Sequence, residues 1–229
     1  VWNPGWQPAK TALDHYTCRH GLGYTIFEAE KDGIAAALKS TGQNLIPQLE
    51  IEASCSGTPI KAHLDLTLVH ASPRPTVQVL ELKSNQRLPE TLYGSYEIQL
   101  HGQIGLLELL WNRPCFALRD DEGRTVCRRQ TFPQIVRLLF ALDVPTNPEA
   151  VAIEGWALCV AMSDAKAFGP YLPNKAMLGH GLRLATTLWN TIKAIRDGAM
   201  RLDDVPTCAG FHPLCDWCAV NATCPKFRP

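Results

Sequence analysis

The sequence predicts a mixed α/β fold with a central sheet flanked by helices, and two observations support this prediction. Segments with strand patterns alternate along the chain with segments whose apolar residues recur at helical spacing. The chain has 229 residues and 46% hydrophobic content, which is enough to bury one core. We therefore expect a single domain over residues 1–229.

The clearest strand predictions are two extended segments, Pro47–Ser54 and Pro59–His70, separated by the turn-forming residues 56–58. In the second segment apolar and polar residues alternate with a period of two, so one face is core and the other is polar. A third strand is predicted over Thr76–Ser84. The remaining predicted strands are Cys115–Leu118, Thr125–Gln130 and Ala150–Met162.

Helices are predicted where apolar residues recur every three or four positions. The segment Tyr93–Trp111 has this spacing, and it carries Gln99 and Gln103 on a polar stripe beside its apolar face. The other predicted helices are Tyr24–Ser40, a short helix opened by Pro133, and Asn174–Asp197.

The charge balance restricts the function classes. Lys and Arg number 22, Asp and Glu number 22, and the formal net charge is zero, unlike that of a protein that coats nucleic acid. Any DNA contact is therefore expected to be local. The chain contains no run of 18 apolar residues and no secretory signal pattern. We expect a cytoplasmic protein without a membrane partner.

One group of polar residues falls on neighbouring predicted strands. Asp65 lies on the polar face of one strand, Glu81 and Lys83 share a face of the next, and Gln99 follows on the helix. Adjacent strands bring such side chains within about 5 Å, so both carboxylates can hold one hard divalent cation. A cation of this kind can hold a phosphate and activate water. The alternative is an ordinary same-face ion pair worth less than about 1 kcal/mol.

Nine cysteines without a secretory signal indicate metal or cluster binding rather than a disulfide framework. Cys215, Cys218 and Cys224 form a C-x2-C-x5-C run, the type of spacing that ligates iron–sulfur clusters or zinc. The fourth ligand is either Cys208 or Cys18. The others lie in or beside strand-like segments, where a thiol acts as a small hydrophobic group: Cys55, Cys115, Cys127 and Cys159.

Taken together, these motifs resemble the RecB-like PD-(D/E)XK nucleases that carry an iron–sulfur cluster, notably the CRISPR-associated Cas-four exonucleases. The resemblance spans Tyr16 to Pro225. It rests on an N-terminal tyrosine and cysteine, a glycine-to-aspartate strand, an acid-x-lysine strand, a glutamine-bearing helix and the terminal cysteines: Tyr16, Cys18, Gly57–Asp65, Glu81–Lys83, Gln99 and Cys215–Cys224.

The resemblance implies a restriction-endonuclease-like core with a cysteine-rich lobe, formed by residues 1–24 and 205–229, that joins the two termini. It implies catalytic roles for Asp65, Glu81, Lys83 and Gln99, and it implies Mg²⁺ or Mn²⁺ held by Asp65, Glu81 and Leu82. It selects Cys18 over Cys208 as the fourth ligand of a 4Fe-4S cluster. Two positions depart from the family pattern: Ala36, where the family has a histidine, and Gln103, where it often has a tyrosine.

The implied function is a metal-dependent deoxyribonuclease that cuts single-stranded DNA, as exonuclease or endonuclease, and trims DNA for CRISPR spacer acquisition. The expected partners are DNA and a protein of a DNA-processing or CRISPR adaptation complex. An alternative is a module that has this fold and binds DNA ends with weak or no cleavage, as a subunit of a larger complex. A zinc-ribbon protein without nuclease activity is a third alternative.

The cysteine assignment predicts that anaerobically purified protein is brown and contains iron and sulfide. Serine replacements of Cys18, Cys215, Cys218 and Cys224 should each lose the cluster, whereas Cys208→Ser should retain it. Iron and sulfide analysis of the five variants tests this. A colourless protein that holds one zinc ion would contradict the cluster, and cluster loss in Cys208→Ser with retention in Cys18→Ser would contradict the ligand set.

Overall fold

A computed structural model describes residues 44–71, 73–84, 88–120, 124–160 and 165–205. In these ranges the chain forms a mixed α/β fold with one seven-stranded sheet and three α-helices, which confirms the predicted fold class at this level. The strands are β1 Asn44–Cys55, β2 Thr58–His70, β3 Thr76–Ser84, β4 Phe116–Arg119, β5 Thr125–Gln130, β6 Ala152–Val160 and β7 Ala165–Tyr171. The helices are α1 Gly94–Leu110, α2 Phe132–Phe140 and α3 Lys175–Arg196.

The sheet has the strand order β5-β4-β1-β2-β3-β6-β7. Neighbouring strands are antiparallel except for β3 and β6, which run parallel. The connection between β3 and β6 contains α1, β4, β5 and α2. This topology places β2 and β3, which carry the predicted site residues, at the centre of the sheet.

The strand β7 was not predicted from the sequence. It occupies an edge of the sheet and contains Gly169 and Pro170, both of which are disfavoured inside strands. Proline lacks a backbone N–H and is tolerated at a sheet edge, where one side of the strand has no partner to bond. The local sequence therefore does not predict this strand, which is stabilised by its pairing with β6.

Helix α2 starts at a capping box that is visible in the sequence. The Thr131 hydroxyl accepts a hydrogen bond from the Gln134 backbone N–H at 3.3 Å, and the Gln134 side chain accepts one from the Thr131 N–H at 2.8 Å. These bonds satisfy two donors that the first helical turn leaves without partners. The helix ends at Phe140, and Ala141, which caps it, has left-handed backbone angles.

Among the described residues, the larger of two apolar clusters joins buried residues of the sheet with residues of α1 and α2. Trp111 is 1% exposed, packs against Phe132 with ring centroids 4.6 Å apart, and donates its indole N–H to the Pro145 carbonyl at 2.9 Å. Cys159 is buried, and the other three cysteines in or beside strands pack against the core, in agreement with the hydrophobic role predicted for them: Cys55, Cys115 and Cys127.

The chain divides after Arg183 into two compact units. The first contains the sheet, α1, α2 and the beginning of α3. The second contains the rest of α3 and a short 3-10 turn at Leu202–Asp204, and its helix exposes Leu184, Leu188 and Ile192. Within the described ranges, no helix is both long enough and apolar enough to span a membrane. The predicted cysteine-rich lobe, residues 1–24 and 205–229, lies outside the described residues except at Val205, and the single-domain expectation stays a prediction.

Gly155 of β6 sets how closely α1 approaches the sheet. A Cβ atom at this position would lie 2.9 Å from Leu100 Cγ and 3.1 Å from Ile104 Cγ2, both on α1. These separations are shorter than normal van der Waals contact, so the glycine is required for α1 to lie at its observed position.

We predict that Gly155→Ala lowers the free energy of unfolding by about 1–3 kcal/mol, because the added methyl group displaces Leu100 and Ile104. The control is Gly102→Ala on α1, where a Cβ meets nothing within 4 Å and should raise stability by about 0.5–1 kcal/mol. Urea unfolding of both variants measures the two effects. Equal stability of Gly155→Ala and wild type would show that α1 is not held by this contact.

Candidate functional site

Asp65 and Glu81 face each other across two central strands. The antiparallel register of β2 and β3 pairs Thr67 with Val79 and Leu66 with Leu80, and its continuation places Asp65 opposite Glu81. Asp65 Oδ2 also accepts a hydrogen bond from the Leu82 backbone N–H at 2.9 Å. The pairing predicted from sequence is therefore present, and it brings two carboxylates to one face of the sheet.

Glu81 is 5% exposed and lies at the centre of a hydrogen-bond network. Its Oε1 accepts hydrogen bonds from Lys83 Nζ at 2.6 Å and from Gln99 Nε2 at 2.7 Å. Its Oε2 accepts one from Gln103 Nε2 at 2.6 Å. We call these residues together with Asp65 the Glu81 site. The structure thus brings together all four predicted catalytic residues, Asp65, Glu81, Lys83 and Gln99, whose roles stay predictions.

Burial raises the pKa of Glu81, and the negative charge of Asp65 raises it further. The charge of Lys83 and the hydrogen bonds from Lys83 and Gln103 act in the opposite direction without cancelling these effects. The ionised carboxylate is therefore incompletely compensated by its surroundings. A group in this state gains from any additional positive charge placed beside it.

Lys83 supplies the positive charge that is present. Its ammonium group bonds Glu81 Oε1 and donates a second hydrogen bond to Gln99 Oε1 at 2.9 Å. It also lies 5.0 Å from the centroid of the Tyr96 ring, and its side chain is 15% exposed. Lys83 is thus a fixed, mostly buried counter-ion of Glu81.

Gln103 belongs to the Glu81 site, although sequence reasoning gave it no role there. The signal available was its spacing of four residues from Gln99, which places both amides on one face of α1. Its Nε2 donates to the His63 carbonyl at 3.0 Å as well as to Glu81. The amide therefore links α1 to both central strands.

A second charged group, which sequence reasoning missed, lies on the same face of the sheet. Glu50 on β1 is 3% exposed and accepts a hydrogen bond from Arg119 Nε at 2.8 Å. Lys61 Nζ lies 3.3 Å from Glu50 Oε2, and His63 Nδ1 lies 3.4 Å from Glu50 Oε1. We call these four residues the Glu50 cluster. Its carboxylate comes from β1, while its partners come from β2 and β4.

The Glu50 cluster stabilises the charged carboxylate. Burial alone would raise the pKa of Glu50, but the hydrogen bond from Arg119 and the neighbouring positive charge of Lys61 together outweigh burial and hold the pKa below its usual value. The pKa values of Glu50 and Glu81, which lie on one face of the sheet, are therefore shifted in opposite directions. The charge of Glu50 is compensated by its neighbours, whereas that of Glu81 is compensated only in part.

The predicted ligand set can be located only in part. Leu82 packs its side chain in a small apolar cluster with Leu45, Leu66 and Leu68, so only its backbone carbonyl can bind a cation. Among the described residues, no three His, Cys, Asp or Glu side chains lie together as a metal site. The predicted cluster ligands lie outside the described residues: Cys18, Cys215, Cys218 and Cys224.

Comparison with known proteins found similarities in the N-terminal segment and an alignment with a solved structure. A family model for the glycosyl hydrolase 94 supersandwich domain matches residues 1–41. A 38-residue stretch, 17% of this chain, is 58% identical to solabiose phosphorylase from Paenibacillus borealis and spans 5% of that protein's length. The crystal structure of SSO0001 aligns with a TM-score of 0.46 and 14% identity, covering 88% of this chain and 70% of that one.

The family match and the phosphorylase relative contradict the sequence-based identification. The chain was interpreted as a RecB-like nuclease of the Cas-four type, and this is wrong, because the matches are to a glycosyl hydrolase domain and a phosphorylase. The N-terminal motif of the resemblance, Tyr16 and Cys18, lies inside the segment that matches family 94. An acid-x-lysine strand facing an aspartate is a short pattern, and it does not define a nuclease.

The same finding overturns the functional predictions that followed from the resemblance. Deoxyribonuclease activity and a role in CRISPR spacer acquisition are contradicted, and the alternative of a DNA-end-binding module gains no support. The choice of Cys18 over Cys208 had depended on the resemblance, so the residues alone leave both as candidate ligands. The expectations of a cluster, of DNA and of a protein partner stay predictions.

The Glu50 cluster makes a prediction about pH and stability. Because its folded pKa is lowered, Glu50 contributes stability above its unfolded pKa and loses it as pH falls through the folded pKa. Arg119→Met should therefore cost about 1–3 kcal/mol at pH 7, and the difference from wild type should shrink once Glu50 is protonated. Urea unfolding at several pH values measures it.

The control is Arg124→Met, which removes an ion pair with Asp120 in which the arginine side chain is 70% exposed. Its cost should stay below about 1 kcal/mol at every pH. An Arg119→Met penalty that does not change with pH would show that Arg119 acts through packing rather than through the charge of Glu50.

Proposed function

We propose that the central sheet binds a hard divalent cation, Mg²⁺ or Mn²⁺, between Asp65 and Glu81, and that the cation holds a ligand bearing an oxyanion. The observation that carries the proposal is the opposition of two carboxylates across β2 and β3, with Glu81 5% exposed. A carboxylate kept in such a position is costly unless positive charge accompanies it. Lys83 compensates Glu81 in part, and a divalent cation would compensate both carboxylates.

The protein atoms available at the Glu81 site favour a hard divalent cation over zinc. The Glu81 site offers carboxylate, amide and carbonyl oxygens, which suit Mg²⁺ and Mn²⁺. Structural zinc requires a closed site, and within the described ranges no set of three His, Cys, Asp or Glu side chains forms one. Mg²⁺ commonly binds through one or two carboxylates and keeps several waters. Asp65, Glu81 and the Leu82 carbonyl form a ligand set of this size, and exchangeable waters give a ligand access to the ion.

Lys83 has a second role in this proposal. A cation beside Glu81 competes with the Lys83 ammonium for Oε1, the acceptor that Lys83 bonds at 2.6 Å. The bond from Lys83 to Gln99 Oε1 keeps the ammonium near the site when it leaves Glu81. Lys83, once displaced, would be available to bind and orient the ligand's oxyanion.

A carbohydrate or its phosphate ester is the ligand class to test first. Residues 1–41 match a glycosyl hydrolase domain, and the relative that shares 38 residues is named as a phosphorylase. The matched stretch spans 5% of that relative, so its activity is not transferred to this chain as a whole. A phosphorylated sugar combines the hydroxyl groups of a carbohydrate with the oxyanion that a cation and Lys83 favour.

We also propose a more specific architecture for the chain. A restriction-endonuclease-like core is supported by three consecutive antiparallel strands, β1 to β3, followed by a helix whose glutamines reach Glu81. The cysteine-rich lobe that binds an iron–sulfur cluster is supported by the C-x2-C-x5-C spacing of Cys215–Cys224. Neither assignment implies an activity.

The cation proposal predicts that wild type binds Mn²⁺ and that Asp65→Asn or Glu81→Gln weakens binding by about 30-fold or more, roughly 2 kcal/mol, because each removes a charge that holds the ion. Lys83→Met should bind Mn²⁺ more tightly than wild type because it removes a competing cation. Electron paramagnetic resonance of free Mn²⁺ in equilibrium titrations measures these constants.

The matched control is Asp120→Asn, which removes a carboxylate that pairs with Arg124 away from the Glu81 site and should leave Mn²⁺ affinity unchanged. Titration of the Mn²⁺-loaded protein with a hexose 1-phosphate and with inorganic phosphate tests the ligand class. Equal Mn²⁺ affinity of wild type and both carboxylate variants would contradict the cation site. Binding of inorganic phosphate but not of the sugar ester would contradict the carbohydrate assignment alone.

A further inference from the structure

Gln103 has both of its amide hydrogens committed to the Glu81 site. Its side chain is buried, with the residue 4% exposed, and Nε2 donates to the His63 carbonyl at 3.0 Å and to Glu81 Oε2 at 2.6 Å. Both partners are acceptors, so an exchange of the amide nitrogen and oxygen would place oxygen against oxygen. The orientation of the amide is therefore determined by its surroundings.

The amide oxygen of Gln103 remains an open acceptor. Oε1 is buried and has no hydrogen-bond partner among the described residues. A buried acceptor without a partner costs about 1–3 kcal/mol, which is comparable to a hydrogen bond in the interior. Proteins retain such groups where a ligand or an ordered water completes them.

The position of this oxygen connects it to the cation site. It is bound to the same carbon as Nε2, which lies 2.6 Å from Glu81 Oε2, so it lies within a few ångströms of the carboxylate. Gln99, one turn earlier on α1, bonds the other oxygen of the same carboxylate at 2.7 Å. The two glutamines of α1 thus both donate hydrogen bonds to Glu81, and Gln103 Oε1 remains an acceptor without a partner among the described residues.

We propose that Gln103 is a positioning residue of the cation site, and that its Oε1 accepts a hydrogen bond from a water bound to the cation. This inference rests on the proposed function. A hydrated Mg²⁺ or Mn²⁺ presents strongly polarised water hydrogens, which match a buried amide oxygen that has no other donor. The two Nε2 donors fix the orientation of the amide, and Oε1 then positions the metal-bound water, as outer-shell partners do in metal sites.

The test compares Gln103→Met with Gln103→Glu in the full chain. Methionine keeps the approximate volume but removes both polar atoms, so Mn²⁺ affinity should fall by about 10–100-fold. Glutamate keeps an acceptor oxygen and adds a negative charge that attracts the cation, which offsets the loss of the donors, so its Mn²⁺ affinity should equal or exceed that of wild type. Proton relaxation enhancement, which reports water exchange on bound Mn²⁺, should show faster exchange in Gln103→Met than in wild type and Gln103→Glu.

The control is Gln78→Met on β3, whose Nε2 donates to Glu154 Oε2 at 3.0 Å outside the Glu81 site. It should leave Mn²⁺ affinity and water exchange unchanged. If Gln103→Glu loses Mn²⁺ as severely as Gln103→Met, the donor contacts matter rather than Oε1, and the inference fails. A lower melting temperature of Gln103→Met with unchanged Mn²⁺ affinity and water exchange would also overturn it. Absence of Mn²⁺ binding in wild type would instead overturn the cation site itself.

Discussion

The charge of Glu81 is the constraint on which the rest of the site depends. A carboxylate that is 5% exposed and faces Asp65 across the sheet is unfavourable in isolation, because burial and like charge both oppose ionisation. Three donors, from Lys83, Gln99 and Gln103, converge on its two oxygens. They reduce this cost without removing it, since the pKa remains raised. A further positive charge at the site would reduce the remaining cost, which is the basis of the proposed cation.

The position of α1 follows from the same constraint. The glutamine amides reach Glu81 because Gly155 lets Leu100 and Ile104 pack directly on β6, with no Cβ between them. Gln99 and Gln103 each precede one of these apolar residues in sequence, so the apolar contact and the polar contact share two turns of helix. Packing on one side of α1 thus sets hydrogen-bond geometry on the adjacent side.

The sequence predicted what depends on local pattern. The alternation of apolar and polar residues over Pro59–His70 predicted β2. The polar faces of two adjacent strands predicted that Asp65 lies close to Glu81. The spare acceptor of Gln103 was not predictable, because it depends on the rotation of α1 against β6. The Glu50 cluster joins residues of β1, β2 and β4 that are up to 69 positions apart. The nuclease assignment failed because it combined short motifs, and its N-terminal motif lies in a segment matching another family.

In the proposed site, Asp65 and Glu81 share one divalent cation. Crystals of the full chain grown with Mn²⁺ test this directly, because anomalous diffraction near the manganese absorption edge locates the ion independently of the protein model. A single peak within about 2.0–2.4 Å of an oxygen of each carboxylate, with the Lys83 ammonium moved away from Glu81, is the predicted result. A Lys83–Glu81 bond retained at 2.6 Å with no peak between the two carboxylates would contradict it.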